Sequence, residues 1–280
     1  MAAYELYNYD PSTTAAVAFA VMFALSTMGH LWQTGCNRSW FFTSFVIGGC
    51  FELVGYIARY ISAKQSPNWT TMPYVIQELL LLVAPSLFAA SIYMVLGRII
   101  RLLNGDSNSP IRPSWLTKIF VAGDVISFFM QSGGGGILAT AKSDSSMNMG
   151  NNVIIGGLIV QVISFSVFIV VSVIFHRRML NSPMHMMVKT QIPWSRYMMI
   201  LYTGSALILV RSAYRVAEYV QGSTGYLQSK EAFVYIFDAT LMLLCCILFN
   251  MFHPSKLLSK KPQSYEEDLE MMNESGYRNL

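Results

Sequence analysis

The chain alternates between long apolar runs and short polar connectors. Seven apolar windows lie near residues 14–33, 40–60, 74–99, 116–140, 153–175, 197–220 and 233–252. Each is long enough to cross a hydrocarbon core, which takes about 20 helical residues. The connectors are rich in Pro, Asn, Ser and Gly, as in Ser66-Pro67-Asn68 and Asn104-Gly105-Asp106-Ser107. The apolar runs are continuous and lack the period of two that a membrane barrel requires. In lipid, backbone polar groups must be paired within the segment, so these windows predict helices. The fold class that follows is an all-α integral membrane protein with seven transmembrane helices. The expected layout is a short N-terminus over residues 1–13, a seven-helix domain over 14–253 and a polar tail over 254–280. No internal repeat stands out.

Composition agrees with this pattern. Charged residues make up 12% of the chain, against about 25% in soluble domains. The net charge of +4 comes with no dense basic run interleaved with aromatics, which argues against nucleic-acid binding. Cys36, Cys50, Cys245 and Cys246 have neither metal-site nor disulfide-scaffold spacing, and read as free thiols packed as small hydrophobes. No Lys or Arg precedes the first window, so no cleavable signal peptide is expected.

Charge placement orients the helices. On the side of the C-terminus, the connectors and tail hold Arg38, then Arg98, Arg101, Arg112 and Lys118, then Arg177, Arg178, Lys189 and Arg196, then Lys256, Lys260, Lys261 and Arg278. The opposite side holds only Arg59, Lys64, Lys142 and Lys230. Cytosolic connectors carry the excess of basic residues, so the N-terminus is expected outside and the C-terminus in the cytosol. The sequon Asn68-Trp69-Thr70 then lies outside, making Asn68 a glycosylation candidate, while Asn37-Arg38-Ser39 lies inside and stays unmodified. Trp40, Tyr74, Trp115, Trp194 and Tyr197 stand near helix ends, where aromatic side chains anchor at the membrane interface. The tail, with Lys260-Lys261 followed by Glu266, Glu267, Asp268 and Glu270, reads as a solvated segment.

Ionisable side chains inside membrane helices are costly and mark functional positions unless they serve packing. The second window holds Glu52 and Arg59, the third Gln77 and Glu78 and then Pro85, and the fourth Asp124, Ser127 and Gln131 on one face. The sixth holds Arg211, Arg215 and Glu218 on one face, and the seventh holds Asp238. The orientation puts four carboxylates (Glu52, Glu78, Glu218, Asp238) and three guanidiniums (Arg59, Arg211, Arg215) at one outer depth, with Asp124 deeper. Two readings compete: interhelical ion pairs that fix packing, or a polar chamber open to the outer side that accepts a headgroup. The acidic excess suits a cationic amphiphile. Gly133-Gly134-Gly135-Gly136 either lets two helices approach closely or permits an unwound segment. Pro85 predicts a kink.

Chemistry is sparse. No Lys-Ser/Thr follows the glycine run, so no nucleotide site is expected. Of His30, His176, His185 and His253, only His30 lies within a window, so no zinc site is expected. No Gly-x-Ser-x-Gly elbow occurs. The expectation is a protein without catalytic residues, metal or cofactor, and not an enzyme. Seven helices with an outside N-terminus is also a receptor layout. The third window, however, ends Leu96-Gly97-Arg98 without an acidic-Arg-aromatic triplet, and the seventh has neither Asn-Pro-x-x-Tyr nor a lysine.

Residues 7–254 carry a series of motifs: Glu52-Leu53-Val54-Gly55-Tyr56-Ile57-Ala58-Arg59, Gln77 with Ala84-Pro85 and Ala89-Ala90-Ser91-Ile92-Tyr93, Phe120-Val121-Ala122-Gly123-Asp124-Val125, Gln131-Ser132-Gly133-Gly134-Gly135, Arg211-Ser212-Ala213-Tyr214-Arg215-Val216-Ala217-Glu218-Tyr219, Tyr235-Ile236-Phe237-Asp238, and His253-Pro254. In this order and spacing the chain resembles the fungal lipid-translocating exporter family, whose members are associated with 7-aminocholesterol resistance, sphingoid long-chain base resistance and protoporphyrin uptake. One departure is Leu241 before Met242, where the family pattern has proline. The resemblance implies seven helices in a fungal membrane, most simply the plasma membrane. It also implies export or flipping of amphipathic lipids or toxic amphiphiles, with membrane lipids or amphipathic small molecules as partners. A seven-helix lipid-stress sensor without transport is the alternative. The substrate-path candidates are Glu52, Arg59, Gln77, Glu78, Asp124, Gln131, Arg211, Arg215, Glu218 and Asp238.

Overall fold

A computed structural model describes residue 7 and residues 9–141, 143–181, 194–222 and 225–255. The polar tail from Lys256, and with it Lys142, His185 and Lys189, lies outside the described residues. Seven long helices account for nearly all of the rest: α1 (Thr13–Cys36), α2 (Thr43–Ala63), α3 (Thr71–Leu102), α4 (Pro113–Thr140), α5 (Asp144–Leu180), α6 (Trp194–Gln221) and α7 (Glu231–Met251). They contain the seven apolar windows almost entirely. The helix ends follow local chemistry. Ser12 caps α1, its hydroxyl accepting from the Ala15 N–H at 3.3 Å, and Ser143 does the same for α5 with Ser146. Pro113 opens α4, where its missing N–H has no partner to lose. Gly222, at φ +74°, follows the end of α6 in the left-handed region that glycine favours.

Consecutive helices pack pairwise and α7 returns against α1, closing a ring that α3 and α6 cross by touching each other. Apolar side chains cover the outside. Along α1 they include Val21, Leu25, Met28 and Trp32, the last 75% exposed. Polar side chains turn inward, and Glu52, Arg59, Gln77 and Arg211 are each only 1% exposed. An apolar outside around a charged inside fits lipid as solvent and would leave a large sticky surface in water. Among the described residues, α1, α2, α3, α5 and α7 are long and apolar enough to cross a membrane. Helices α4 and α6 have the length but not the composition, because they carry Asp124, Gln131 and the glycine run, or Arg211, Arg215 and Glu218.

Helix α4 runs unbroken through Gly133–Gly136. A Cβ on Gly134 would lie 2.7 Å from the Gly150 carbonyl oxygen and from Ile154, so close approach to α5, and not unwinding, explains that glycine. Pro85 sits inside α3 and removes the N–H that would bond the Leu81 carbonyl. Arg211 supplies the missing donor from α6, with Nη2 2.9 Å from the Leu81 oxygen. Finally, α7 contains one π turn over Tyr235–Ala239, and the Thr240 hydroxyl donates to the Tyr235 carbonyl at 2.8 Å. The turn contains Asp238 and stands just before the position where the family pattern has proline. π turns of this kind recur at functional sites.

Two sequence expectations need correction. Trp194 does not anchor at a surface: it is 1% exposed and meets the His176 ring edge-on at 5.4 Å. All four cysteines are free, but only Cys245 and Cys246 are core residues; Cys50 is half-buried and Cys36 is exposed.

Candidate functional site

Of the charged residues expected at one outer depth, Glu78, Arg211, Arg215, Glu218 and Asp238 pair among themselves. Arg211 Nε donates to Asp238 Oδ1 at 2.8 Å, joining α6 to α7. Arg215 Nη1 donates to Glu218 Oε2 at 2.9 Å and its Nη2 to Glu78 Oε2 at 3.1 Å, joining α6 to α3. Gln77 Nε2 donates to the other Glu78 oxygen at 3.1 Å. Both α6 arginines lie on the buried face because four residues make about one turn. Arg59 follows a different pairing. It neighbours Glu52 by helix face, but its Nη2 donates to Glu231 at 2.8 Å and to the Tyr9 hydroxyl at 2.9 Å, and its Nε to the Tyr235 hydroxyl at 3.0 Å.

Glu231, Tyr7, Tyr9 and Tyr235 are thus site residues that the sequence reading missed. Glu231 also accepts from the Ser12 N–H with both oxygens, at 3.0 and 2.9 Å, which ties the start of α1 to α7. The Tyr7 hydroxyl lies 2.9 Å from Gln77 Oε1 and 3.0 Å from Ser62 Oγ. Burial pushes this phenol up to about 12, so at neutral pH it stays a hydrogen-bond donor. A usable signal for Glu231 existed: an acidic residue in the first turn of α7 stands at the same end as Arg59. Nothing in the pattern singled out tyrosines seven and nine.

Glu52 stands apart. It is 1% exposed, and among the described residues its Oε1 has no hydrogen-bond partner. Gly55, one turn on, makes room for α3: a Cβ there would lie 2.7 Å from Leu81. Among the described residues, ion pairs therefore join α2 to α7, α6 to α7 and α6 to α3, while Glu52 Oε1, like Asp124 Oδ1, is left without a hydrogen-bond partner.

Asp124 and Gln131 do not join that set. Asp124 Oδ2 accepts from the Tyr93 hydroxyl at 3.0 Å inside an aromatic group with Phe120 and Phe168. Gln131 Nε2 donates to Ser127 at 2.6 Å and to Gln161 at 3.3 Å, and Gln161 donates to Ser86 at 3.1 Å. These form a separate polar chain across α3, α4 and α5. Asn68 is exposed in the connector between α2 and α3, while the sequon hydroxyl of Thr70 donates to Gln65 at 2.7 Å. Among the described residues, no three His, Cys, Asp or Glu converge as metal ligands.

A family model described as RTA1-like protein matches residues 45–261. The chain is 34% identical to Protein RTM1 of Saccharomyces cerevisiae, over 88% of this chain and 90% of that one. It is 36% identical to Protoporphyrin uptake protein 1 of the same yeast, covering 89% and 91%. It is 25% identical to a Sphingoid long-chain base transporter RSB1 of S. cerevisiae, covering 87% and 72%. No solved structure matches the chain.

Proposed function

This chain belongs to the RTA1-like protein family, and on that premise we propose that it is a translocator of amphipathic lipids or toxic amphiphiles. Its seven helices span the plasma membrane with the N-terminus outside and the C-terminus in the cytosol, and it carries out no enzymatic step. The names of its relatives support a role in amphiphile transport: one speaks of sphingoid long-chain bases, another of protoporphyrin uptake.

Glu52 carries the reading. A buried carboxylate oxygen without a donor is expensive to maintain, at about 1–3 kcal/mol or more, and a headgroup that donates to it removes that penalty. A sphingoid base brings an ammonium and hydroxyls, while its tail stays in lipid beside the apolar outer faces. As the headgroup passes, it takes a carboxylate from an arginine, and the released guanidinium needs another acceptor. Arg211 has one in the Leu81 carbonyl, and Arg215 has two carboxylates to choose between. An anionic headgroup uses the same pairs in the opposite sense, through the guanidiniums.

The sensor reading draws support from one observation: all three arginines are already closed by carboxylates. The two readings part on resistance in cells. At matched expression, Glu52→Gln and Arg215→Gln should each abolish resistance to a toxic sphingoid base. Intact resistance in both variants would remove the headgroup path.

A further inference from the structure

The opposite end of the bundle, which carries Ser255, holds a second feature that the ion pairs do not explain. The connector between α1 and α2, the last turns of α3 and Ser255 line a half-open cavity of about 290 Å³. Arg38 and Arg98 both line it, and among the described residues neither pairs with a carboxylate. Among the described residues, no acidic side chain lines the cavity. The Arg98 guanidinium rests 4.2 Å from the centre of the Phe41 ring, which fixes its position without neutralising it. Ser39, 4% exposed, lines the same cavity, and its hydroxyl has no hydrogen-bond partner. Ser255, equally buried, is held through its hydroxyl by His253 Nδ1 at 2.8 Å. The wall continues into Trp40, 72% exposed, a side chain suited to the headgroup layer of a membrane.

Two exposed guanidiniums line one cavity and, among the described residues, neither has a carboxylate, so an anion between them would gain two charge-assisted contacts. The orphan hydroxyl adds a donor, and the aromatic wall gives a lipid tail a surface. We propose that this cavity binds a phosphate-bearing anion, seated between Arg38 and Arg98. The chemistry is shared by a phospholipid headgroup and by free phosphate, and it is separate from the headgroup path at Glu52.

Native mass spectrometry of the purified full-length protein in detergent tests this. The probes are phosphatidylserine, phosphatidylinositol 4-phosphate and, as the uncharged comparison, phosphatidylcholine. The expected result is retention of the anionic lipids over phosphatidylcholine, reduced about tenfold in R38Q/R98Q and largely kept in R38K/R98K. The control R177Q/R178Q removes an exposed pair from the end of α5 nearest the same face and should leave retention unchanged. Inorganic phosphate in lipid-free detergent separates the sources. If it raises the Tm of the wild type but not of R38Q/R98Q, and no lipid is preferred, the site takes the free anion. Equal loss in R177Q/R178Q, or no change in R38Q/R98Q with either lipid or phosphate, overturns the proposal.

Discussion

Toward one end of the bundle, α2, α3, α6 and α7 meet through three buried arginines and the carboxylates that hold them. Toward the other end, α1, α2, α3 and α7 meet through Phe42, Phe45, Phe88 and Phe249, with His30 against Phe42 and Phe45. Phe45 stacks on Phe42 at 4.6 Å and on Phe88 at 4.4 Å, and His30 Nε2 lies 3.0 Å from the Cys246 carbonyl oxygen. Under the proposed translocation, the two ends respond differently to a passing ligand. An aromatic stack in lipid has no polar partner to exchange, so it holds the helices in one arrangement. An ion pair can trade one partner for a headgroup of like charge without leaving a bare charge behind. Under that proposal, movement belongs to the charged end and anchoring to the aromatic end.

The largest effect should come from breaking the charged end. Asp238→Ala strips Arg211 of its carboxylate, and losing one member of a buried pair costs about 3–5 kcal/mol. Little folded protein should survive size-exclusion chromatography in detergent. The double variant R211M/D238L removes both charges and should recover most of the folded yield, less the cost of the Leu81 carbonyl losing its donor, yet it should not recover transport. A stable double variant with full transport would show that this pair only packs helices.

At the aromatic end, Phe45→Ala opens a void among Phe42, Phe88 and Phe249. The loss should be on the order of 2 kcal/mol, at or below the range for water-soluble cores, because the separated helices would still keep their side chains in lipid. Thermal unfolding should shift down, while transport per folded molecule stays near wild type. A selective loss of transport would blur the contrast between the two ends.

Smaller effects refine the charged end. Arg59→Lys keeps the charge on Glu231 but loses the planar fork that also reaches Tyr235 and Tyr9. The expected cost is about 1–2 kcal/mol by thermal unfolding. Asp124→Asn should have the smallest effect, under about 1 kcal/mol with unchanged transport, because the amide oxygen still accepts from Tyr93. A transport defect there would extend the path into the separate polar chain of α3, α4 and α5.

Much of this contrast was legible in the residues. Long apolar windows set the helices, since lipid leaves the backbone few other choices. The positions of Glu52, Glu78, Arg211, Arg215, Glu218 and Asp238 gave their common depth, because helix rise is regular. What the residues left open was pairing. Glu52 and Arg59 stand seven apart on one helix, but a guanidinium takes whichever carboxylate the neighbouring helices bring, and α7 brought Glu231. Pro85 and Arg211 were each conspicuous, yet only the packing of α3 against α6 shows one completing the other's backbone. Trp194 looked like an interface anchor by its place near a helix end, and the fold buried it.

The account rests on Glu52 accepting a headgroup. The most direct measurement is the flux of a labelled sphingoid base across liposomes that contain only the purified protein, wild type or Glu52→Gln. The amide nearly matches the carboxylate in shape and cannot bind an ammonium as a counter-ion. The account predicts flux in the wild type and a loss of about tenfold or more in the variant, with both proteins equally folded by Tm. Equal flux in the two, or no flux in the wild type with any amphiphile tried, would contradict it.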